Sequence, residues 1–133
     1  MSEALAYESE SDAVRVRVPA KINLHLGVGP RRADGYHDLT TVYQAISLYD
    51  EVTVERDERQ GIHVEVEGTG AGLVPLDDSN LAVRAVRLLG LESGIKPEVT
   101  VRIDKSIPVA GGLAGGSADA AGALLAAARL WDL

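Results

Sequence analysis

The feature that most constrains this chain is a run of glycines placed directly before an alanine-rich segment. Four glycines lie between Gly111 and Gly116, Ser117 follows them, and the alanines continue to about Leu130. Because glycine destabilises helices, its concentration at a helix entrance calls for a reason. Without Cβ atoms, consecutive backbone N–H groups can approach an anion, and the following helix adds unpaired N–H groups and the positive end of its dipole. The pattern predicts a phosphate-binding loop.

This run differs from the two commonest phosphate-binding loops. No lysine precedes Ser117, as a Walker A motif requires, and no G-x-G-x-x-G register fits the glycines. A glycine-rich turn before a helix can also be a plain connector. The number of glycines and the hydroxyl at the helix start favour an anion site of a rarer kind.

Composition limits the classes of function. The 133 residues carry a net charge of −7, and 46% of them are hydrophobic, which is enough for one packed core. An acidic chain without a basic run predicts no nucleic-acid partner, and the absence of a long apolar run predicts no membrane partner. Without cysteine the chain has neither disulfides nor thiolate metal sites. We expect a cytoplasmic protein in which residues 1–12 are a disordered acidic tail.

Hydrophobic periodicity predicts an α+β domain, built mainly from strands with two helices. Apolar residues alternate, as in strands with one buried face, over residues 14–18, 21–27, 40–46, 51–55, 62–66 and 99–103. Ser79 or Asn80 is placed to cap a helix that continues to about Leu89. The buried stripe of that helix is predicted to contain Leu81, Ala85, Leu88 and Leu89.

Three blocks of the chain resemble the GHMP kinases, a family of small-molecule kinases. The blocks are AGGLAGGSADAA at residues 110–121, preceded by Pro108; PAKINL and RADGYHDL at residues 19–24 and 32–39; and DSNL at residues 78–81. They occur in the family's order and span most of residues 14–133. The resemblance implies the GHMP kinase N-terminal domain, which is similar to domain 2 of ribosomal protein S5.

The resemblance also implies where ATP and Mg²⁺ would bind. The implied phosphate-binding residues are Pro108, Gly111, Gly112, Leu113, Ala114, Gly115, Gly116 and Ser117. Asn80 and Lys105 would lie near the nucleotide, although Asn80 could be only a helix cap and Lys105 only an exposed strand end. Mg²⁺ would arrive with ATP, and no residue spacing predicts a metal site of the protein's own. Asp119, in the first turn of the helix, is expected to face away from the phosphates or to cap.

A catalytic residue and a substrate class follow from the second block. Lys21 is implied to stabilise charge on the transferring phosphoryl group, whereas an isolated strand lysine is more often only solvated. Asn23 shares its strand face and is implied to contact substrate. The pair Tyr36 and His37 could be simple packing, but it resembles the branch that acts on a cytidylyl sugar alcohol. There the tyrosine would stack on cytosine and the histidine would hydrogen-bond it.

The implied reaction is ATP-dependent phosphorylation of the 2-hydroxyl of that substrate, in non-mevalonate isoprenoid precursor synthesis. Two alternatives stay open: a GHMP kinase for homoserine, mevalonate or a sugar, and a non-catalytic nucleotide-binding module. Family members are roughly twice this length, and their proposed general base lies in a Leu-Gly-Ala-Asp segment after the alanine-rich helix. We therefore expect residues 13–133 to be the ATP-binding domain, truncated before that aspartate and the C-terminal domain, and inactive alone.

Overall fold

The strands follow the alternation of valine and isoleucine along the chain. The computed structural model describes residues 7–10 and 12–133. Its strands are β1 (Tyr7–Glu10), β2 (Ala13–Arg31), β3 (His37–Arg56), β4 (Gly61–Gly68) and β5 (Glu98–Lys105). They form one sheet in the order β1-β2-β3-β5-β4, in which β4 and β5 are parallel and all other neighbours are antiparallel.

Two helices, α1 (Leu81–Ser93) and α2 (Gly115–Leu130), pack against one face of this sheet and against each other. Helix α1 lies in the connection between β4 and β5, because parallel neighbours need a crossover. The buried side chains of the sheet in this core are Val14, Val16, Val18, Val52, Val54, Val99, Val101 and Ile103. The α+β class predicted from periodicity is confirmed. Neither helix is long and apolar enough to cross a membrane, within the part of the chain that the structure describes.

Small residues bring α2 very close to the sheet. A Cβ added to Gly122 would lie 2.6 Å from Val18 Cγ1 and 3.4 Å from Val52. The neighbouring core positions of the helix, Ala123 and Ala126, are fully buried. Larger side chains here would push the helix outward, because a packed core has little room for extra methyl groups. The small residues of α2 therefore let its middle lie close over β2 and β3.

The hairpin of β2 and β3 extends well beyond the core. The sequence pattern predicts a strand that ends at Pro19. The strand instead continues, with a shift of register between Pro19 and Lys21. After Ala20 most residues of the hairpin are exposed, including Leu24 and Leu26. Since bulges let a strand bend and continue, the two short strands expected over residues 14–27 form one long strand.

The beginning of the chain differs from the expected tail. The prediction of disorder over residues 1–12 is wrong for Tyr7–Glu10, which pairs antiparallel with residues 13–16 as the edge strand β1. Backbone pairing with β2 satisfies the polar groups on one side of this edge strand, even though the segment is acidic. Residues 1–6 and 11 lie outside the described residues, and for them the disordered tail stays a prediction.

The buried stripe of α1 also differs from the prediction. Leu81 and Leu88 are exposed, whereas Ala82, Val83, Val86 and Gly90 are buried. Leu89 does pack against the core, as expected, and Ala85 is half-buried. Ala82 and Val86 join the common core, and a Cβ added to Gly90 would lie 2.9 Å from the Ile95 carbonyl oxygen, so close packing and not hydrophobicity alone selects the buried face.

Candidate functional site

The backbone of the glycine loop, defined here as residues 106–114, has an unusual alternation of conformation. The angle φ is positive at Ala110 (59°), Gly112 (72°) and Ala114 (58°), but not at Gly111 or Leu113 between them. Such alternation turns successive N–H groups toward one side and forms an anion-binding concavity. For each alanine the left-handed conformation costs about 1–2 kcal/mol. Strain of this kind is concentrated at functional sites.

The N–H groups from Gly111 to Ser117 have no partner among the described residues. Within the described chain, no backbone carbonyl accepts from any N–H group between Gly111 and Ser117. The carbonyls of Gly112 and Leu113 instead accept from Lys21, each at 3.1 Å, through its Nζ and its backbone N–H respectively. Because these peptides are trans, the N–H groups of Leu113 and Ala114 point away from β2. The loop and the first turn of α2 thus present a row of unpaired donors.

A cavity of about 450 Å³ lies against this row of donors. One wall is formed by the glycine loop and the first turn of α2, and another by Leu73, Val74 and Pro75. An apolar wall opposite a set of convergent donors suits a ligand with a flat apolar part and an anionic part.

Asn80 belongs both to a helix cap and to the cavity. Its Oδ1 accepts from the backbone N–H of Ala82 at 2.9 Å, and its Nδ2 donates to the Pro75 carbonyl at 2.9 Å. The predicted cap is therefore confirmed. The same side chain lines the cavity and fixes the segment that carries its apolar wall.

Lys21 lies at the centre of a polar group on the β2–β3 hairpin. Its Nζ donates to Asn23 Oδ1 at 2.7 Å and lies 5.4 Å from the centroid of the Tyr43 ring. Asn23 Nδ2 in turn donates to Thr41 Oγ1 at 2.7 Å. Sequence analysis missed Thr41 and Tyr43, because only the strand register, which pairs Asn23 with Tyr43, brings them to Lys21.

Behind the loop lies the buried cluster, which consists of Asp50, Lys105 and Asp119. Lys105 Nζ contacts Asp50 Oδ2 at 2.5 Å and Asp119 Oδ2 at 2.9 Å, and none of the three side chains is more than 5% exposed. Asp50 Oδ1 also accepts from the N–H groups of Ser106 and Ile107, at 2.7 and 2.8 Å. These charges are satisfied mainly by one another, as buried charges must be.

The cluster corrects two expectations. Lys105 is not an exposed strand end, and Asp119 does not cap α2, since both are buried in the ion pair. Asp50 was missed altogether. The alternation of side chains along β5 could have predicted the burial of Lys105. Lys105 continues the buried series of Val101 and Ile103, so its side chain must point into the core.

The protonation of the cluster is set by burial and by its two close carboxyl groups. Burial and the neighbouring Asp50 raise the pKa of Asp119 to about 7. Burial alone would raise the pKa of Asp50, but hydrogen bonds from Asp119, from the Ile107 backbone and from Lys105 hold it below its usual range. Near neutral pH, the cluster therefore carries an ionised Asp50, a charged Lys105 and an Asp119 close to its titration midpoint.

Tyr36 and His37 lie at the far end of the hairpin. The turn before them is held by Arg32, which bonds Asp34 and donates to Asp38 Oδ1 at 2.7 Å. The Tyr36 ring is exposed, at 72% of its surface. His37 Nδ1 lies 2.8 Å from the Gly29 carbonyl, which can only accept, so Nδ1 carries the proton and neutral His37 offers Nε2 as an acceptor.

The structure brings some of the predicted site residues together and leaves others apart. Lys21 and Asn23 adjoin the glycine loop, and Asn80 and Lys105 line the same cavity as the loop. No hydrogen bond among the described residues joins Tyr36 or His37 to the loop. No group of three or more His, Cys, Asp or Glu side chains in the described ranges is placed to hold a metal ion. The roles of all these residues remain predictions.

The mixed sheet, the two helices and the glycine loop define the N-terminal domain of a class of small-molecule kinases. The family model described as GHMP kinases N terminal domain matches residues 80–133. The chain has the fold of the GHMP kinase N-terminal domain.

Known relatives resemble most of the chain. A 4-diphosphocytidyl-2-C-methyl-D-erythritol kinase from Salinispora tropica is 58% identical over 121 residues, which are 91% of this chain and 38% of that relative. The crystal structure of a 4-(cytidine 5'-diphospho)-2C-methyl-D-erythritol kinase matches 88% of this chain and 40% of its own, with a TM-score of 0.72 and 39% identity. A homoserine kinase from Cytophaga hutchinsonii, at 18% identity and a TM-score of 0.68 over 96% of this chain and 38% of its own, shares the fold. The chain thus spans 38% of the length of the curated relative it matches.

The raised pKa of Asp119 predicts a pH-dependent effect on stability. In the unfolded chain this carboxyl ionises near 3.8, whereas in the folded protein it keeps its proton up to about pH 7. Between these values the folded state binds one proton that the unfolded state has already released. The wild type therefore loses stability as the pH rises through this range, because that proton becomes harder to bind. Asparagine does not titrate, so Asp119→Asn should not share this loss. The free energy of unfolding of the variant minus that of the wild type should therefore increase by about 2–3 kcal/mol as the pH is raised from about 5 to about 8. Urea unfolding of the intact protein at several pH values measures this difference, and a constant difference would show that Asp119 does not titrate there.

Proposed function

We propose that this chain provides the ATP-binding site of a kinase acting on 4-diphosphocytidyl-2-C-methyl-D-erythritol. The γ-phosphoryl group of ATP would be transferred to the 2-hydroxyl of that substrate, in non-mevalonate isoprenoid precursor synthesis. The observation that carries the proposal is the row of unpaired N–H groups from Gly111 to Ser117, which lies at the start of α2 and lines the cavity. The name and 58% identity of the Salinispora relative support the choice of substrate.

The cavity accounts for ATP binding. The phosphates would accept hydrogen bonds from the N–H groups of the loop and lie at the positive end of the α2 dipole. The adenine would lie against the apolar wall of Leu73, Val74 and Pro75, beside Asn80. Mg²⁺ would enter bound to the phosphates, where it offsets their charge.

Lys21 would act on the transferring group. In the reaction the 2-hydroxyl oxygen bonds to the γ-phosphorus, the bond to the β–γ bridging oxygen breaks, ADP leaves and a base takes the hydroxyl proton. The Lys21 ammonium contacts the loop at the Gly112 carbonyl, on the hairpin side of the loop, and the transferring phosphoryl group would have to extend toward that side to meet its charge. There it would stabilise negative charge as it develops on the phosphoryl oxygens. Asn23, which accepts from Lys21, would orient the acceptor.

The hairpin tip supplies groups suited to cytosine. The exposed Tyr36 ring offers a face for stacking, and His37 Nε2 is an acceptor that matches the N4 amino donor of cytosine. Both partners of the proposed reaction are small molecules. With a net charge of −7 and no cysteine, we also propose a cytoplasmic protein that binds neither nucleic acid nor membrane.

The first test is phosphoryl transfer by the intact protein. With Mg-ATP, ADP release should require 4-diphosphocytidyl-2-C-methyl-D-erythritol and should not occur with homoserine, mevalonate or galactose. Lys21→Met should lower kcat by roughly a hundredfold or more while changing the KM for ATP little, since its charge acts mainly in the transition state. Turnover of another acceptor would favour a different GHMP kinase. Binding of Mg-ATP without turnover of any acceptor would favour a nucleotide-binding module.

The second test concerns Tyr36. Tyr36→Ala should weaken binding of the cytidylyl substrate by about 1–3 kcal/mol, the value of a lost stacking contact, and leave Mg-ATP affinity unchanged. Tyr36→Phe is the matched control, because it keeps the ring and should bind nearly as well as the wild type. Calorimetric titration of the intact protein with each ligand measures both affinities. Loss of ATP affinity in Tyr36→Ala would contradict the assignment of Tyr36 to the acceptor side.

A further inference from the structure

The buried cluster joins the two ends of the glycine loop. Lys105 is the last residue of β5 before the loop, and Asp119 is the fifth residue of the helix that follows it, at the start of its second turn. Their ion pair therefore closes the loop at its base. Asp50, on β3, also accepts the N–H groups of the first two loop residues. One cluster thus fixes where the loop leaves the sheet and where it enters the helix.

The cluster also touches the backbone that would hold phosphate. A Cβ added to Gly115 would lie 3.0 Å from Lys105 Nζ, so the backbone of this residue lies directly against the ammonium. The N–H group of Gly115 is one of the unpaired donors of the row. A change of charge in the cluster therefore changes the electrostatic potential at the proposed phosphate site, because only the backbone of Gly115 lies between them.

When both carboxyl groups of the cluster are ionised, their two negative charges exceed the single positive charge of Lys105. Asp50 has all its contacts, from Lys105 and from two N–H groups. Asp119 Oδ1, by contrast, is the single buried side-chain polar atom without a hydrogen-bond partner among the described residues. The charged groups that act on Asp119 are Lys105 from β5 and Asp50 from β3. At the start of α1 the uncharged cap Asn80 lines the same cavity, and Lys21 of β2 bonds the outer side of the loop at Gly112.

We propose that Lys105 and Asp119 are positioning residues that hold both ends of the glycine loop for the phosphates of ATP, and that Asp119 takes up a proton when those phosphates bind. This inference rests on the proposed binding of ATP. A triphosphate beside the cluster adds negative charge, which disfavours an ionised carboxylate next to it. With Asp119 protonated, the cluster becomes neutral, and the loop receives the phosphates without a repelling charge behind it.

Proton uptake is measured by calorimetric titration of the intact protein with Mg-ATP, without acceptor, in buffers of different ionisation enthalpy. At about pH 7.5 the wild type should take up roughly half a proton for each ATP bound, and its affinity should fall roughly tenfold from about pH 6.5 to pH 8.5. In Asp119→Asn this uptake should disappear and the affinity should lose that pH dependence. Asp104→Asn is the matched control, since Asp104 adjoins Lys105 but lies exposed on the other face of β5, and it should behave as the wild type.

The outcomes separate the inference from the proposed function. If the wild type gives no heat with Mg-ATP and no displacement of a fluorescent ATP analogue, the proposed ATP site fails and the inference falls with it. If ATP binds with equal proton uptake in the wild type and Asp119→Asn, the site stands and the role of Asp119 is wrong. Should Asp119→Asn not fold, the wild-type profile alone decides, because an uptake of zero throughout that pH range would overturn the proposal.

Discussion

The arrangement of the site depends on the buried contact of one ammonium with two carboxyl groups. Lys105, Asp50 and Asp119 come from β5, β3 and α2, so their cluster joins the three elements that surround the glycine loop. Burying such charges costs desolvation energy, and removing one partner leaves an uncompensated charge that costs about 3–5 kcal/mol. The cluster is therefore a poor source of net stability but a strong constraint on geometry. The loop contains strained alanines, and it keeps its shape because both of its ends are held.

Much of the fold could be predicted from the sequence, and the errors have identifiable physical causes. Alternation located the core parts of β2, β3, β4 and β5, and the cap at Asn80 located α1. The length of the hairpin could not be predicted, because a bulge carries the strand past Pro19 where its missing N–H predicts a break. The buried face of α1 was mistaken because leucines were weighted above alanines, whereas close packing favours small residues.

In the site, too, features that depend on consecutive residues could be predicted from the sequence, whereas features that depend on strand pairing could not. The glycine run predicted a loop of unpaired donors, since that property depends on consecutive residues. The group of Lys21, Asn23, Thr41 and Tyr43 depends on strand register, which no local motif records. The cluster was recoverable in part, because Asp50 and Lys105 continue the buried parity of Val52 and Ile103, and Asp119 lies one helical turn before Ala123. Charged residues on a buried stripe are the signal that was overlooked.

We propose above all that the backbone from Gly111 to Ser117 binds the phosphates of ATP. The most direct measurement is a titration of the isotope-labelled intact protein with Mg-ATP, in which the NMR signal of each backbone N–H is followed. The amides of these residues should show the largest shifts, downfield, because each gains a charge-assisted hydrogen bond. Shifts confined to other parts of the chain, with these amides unchanged at saturation, would contradict it.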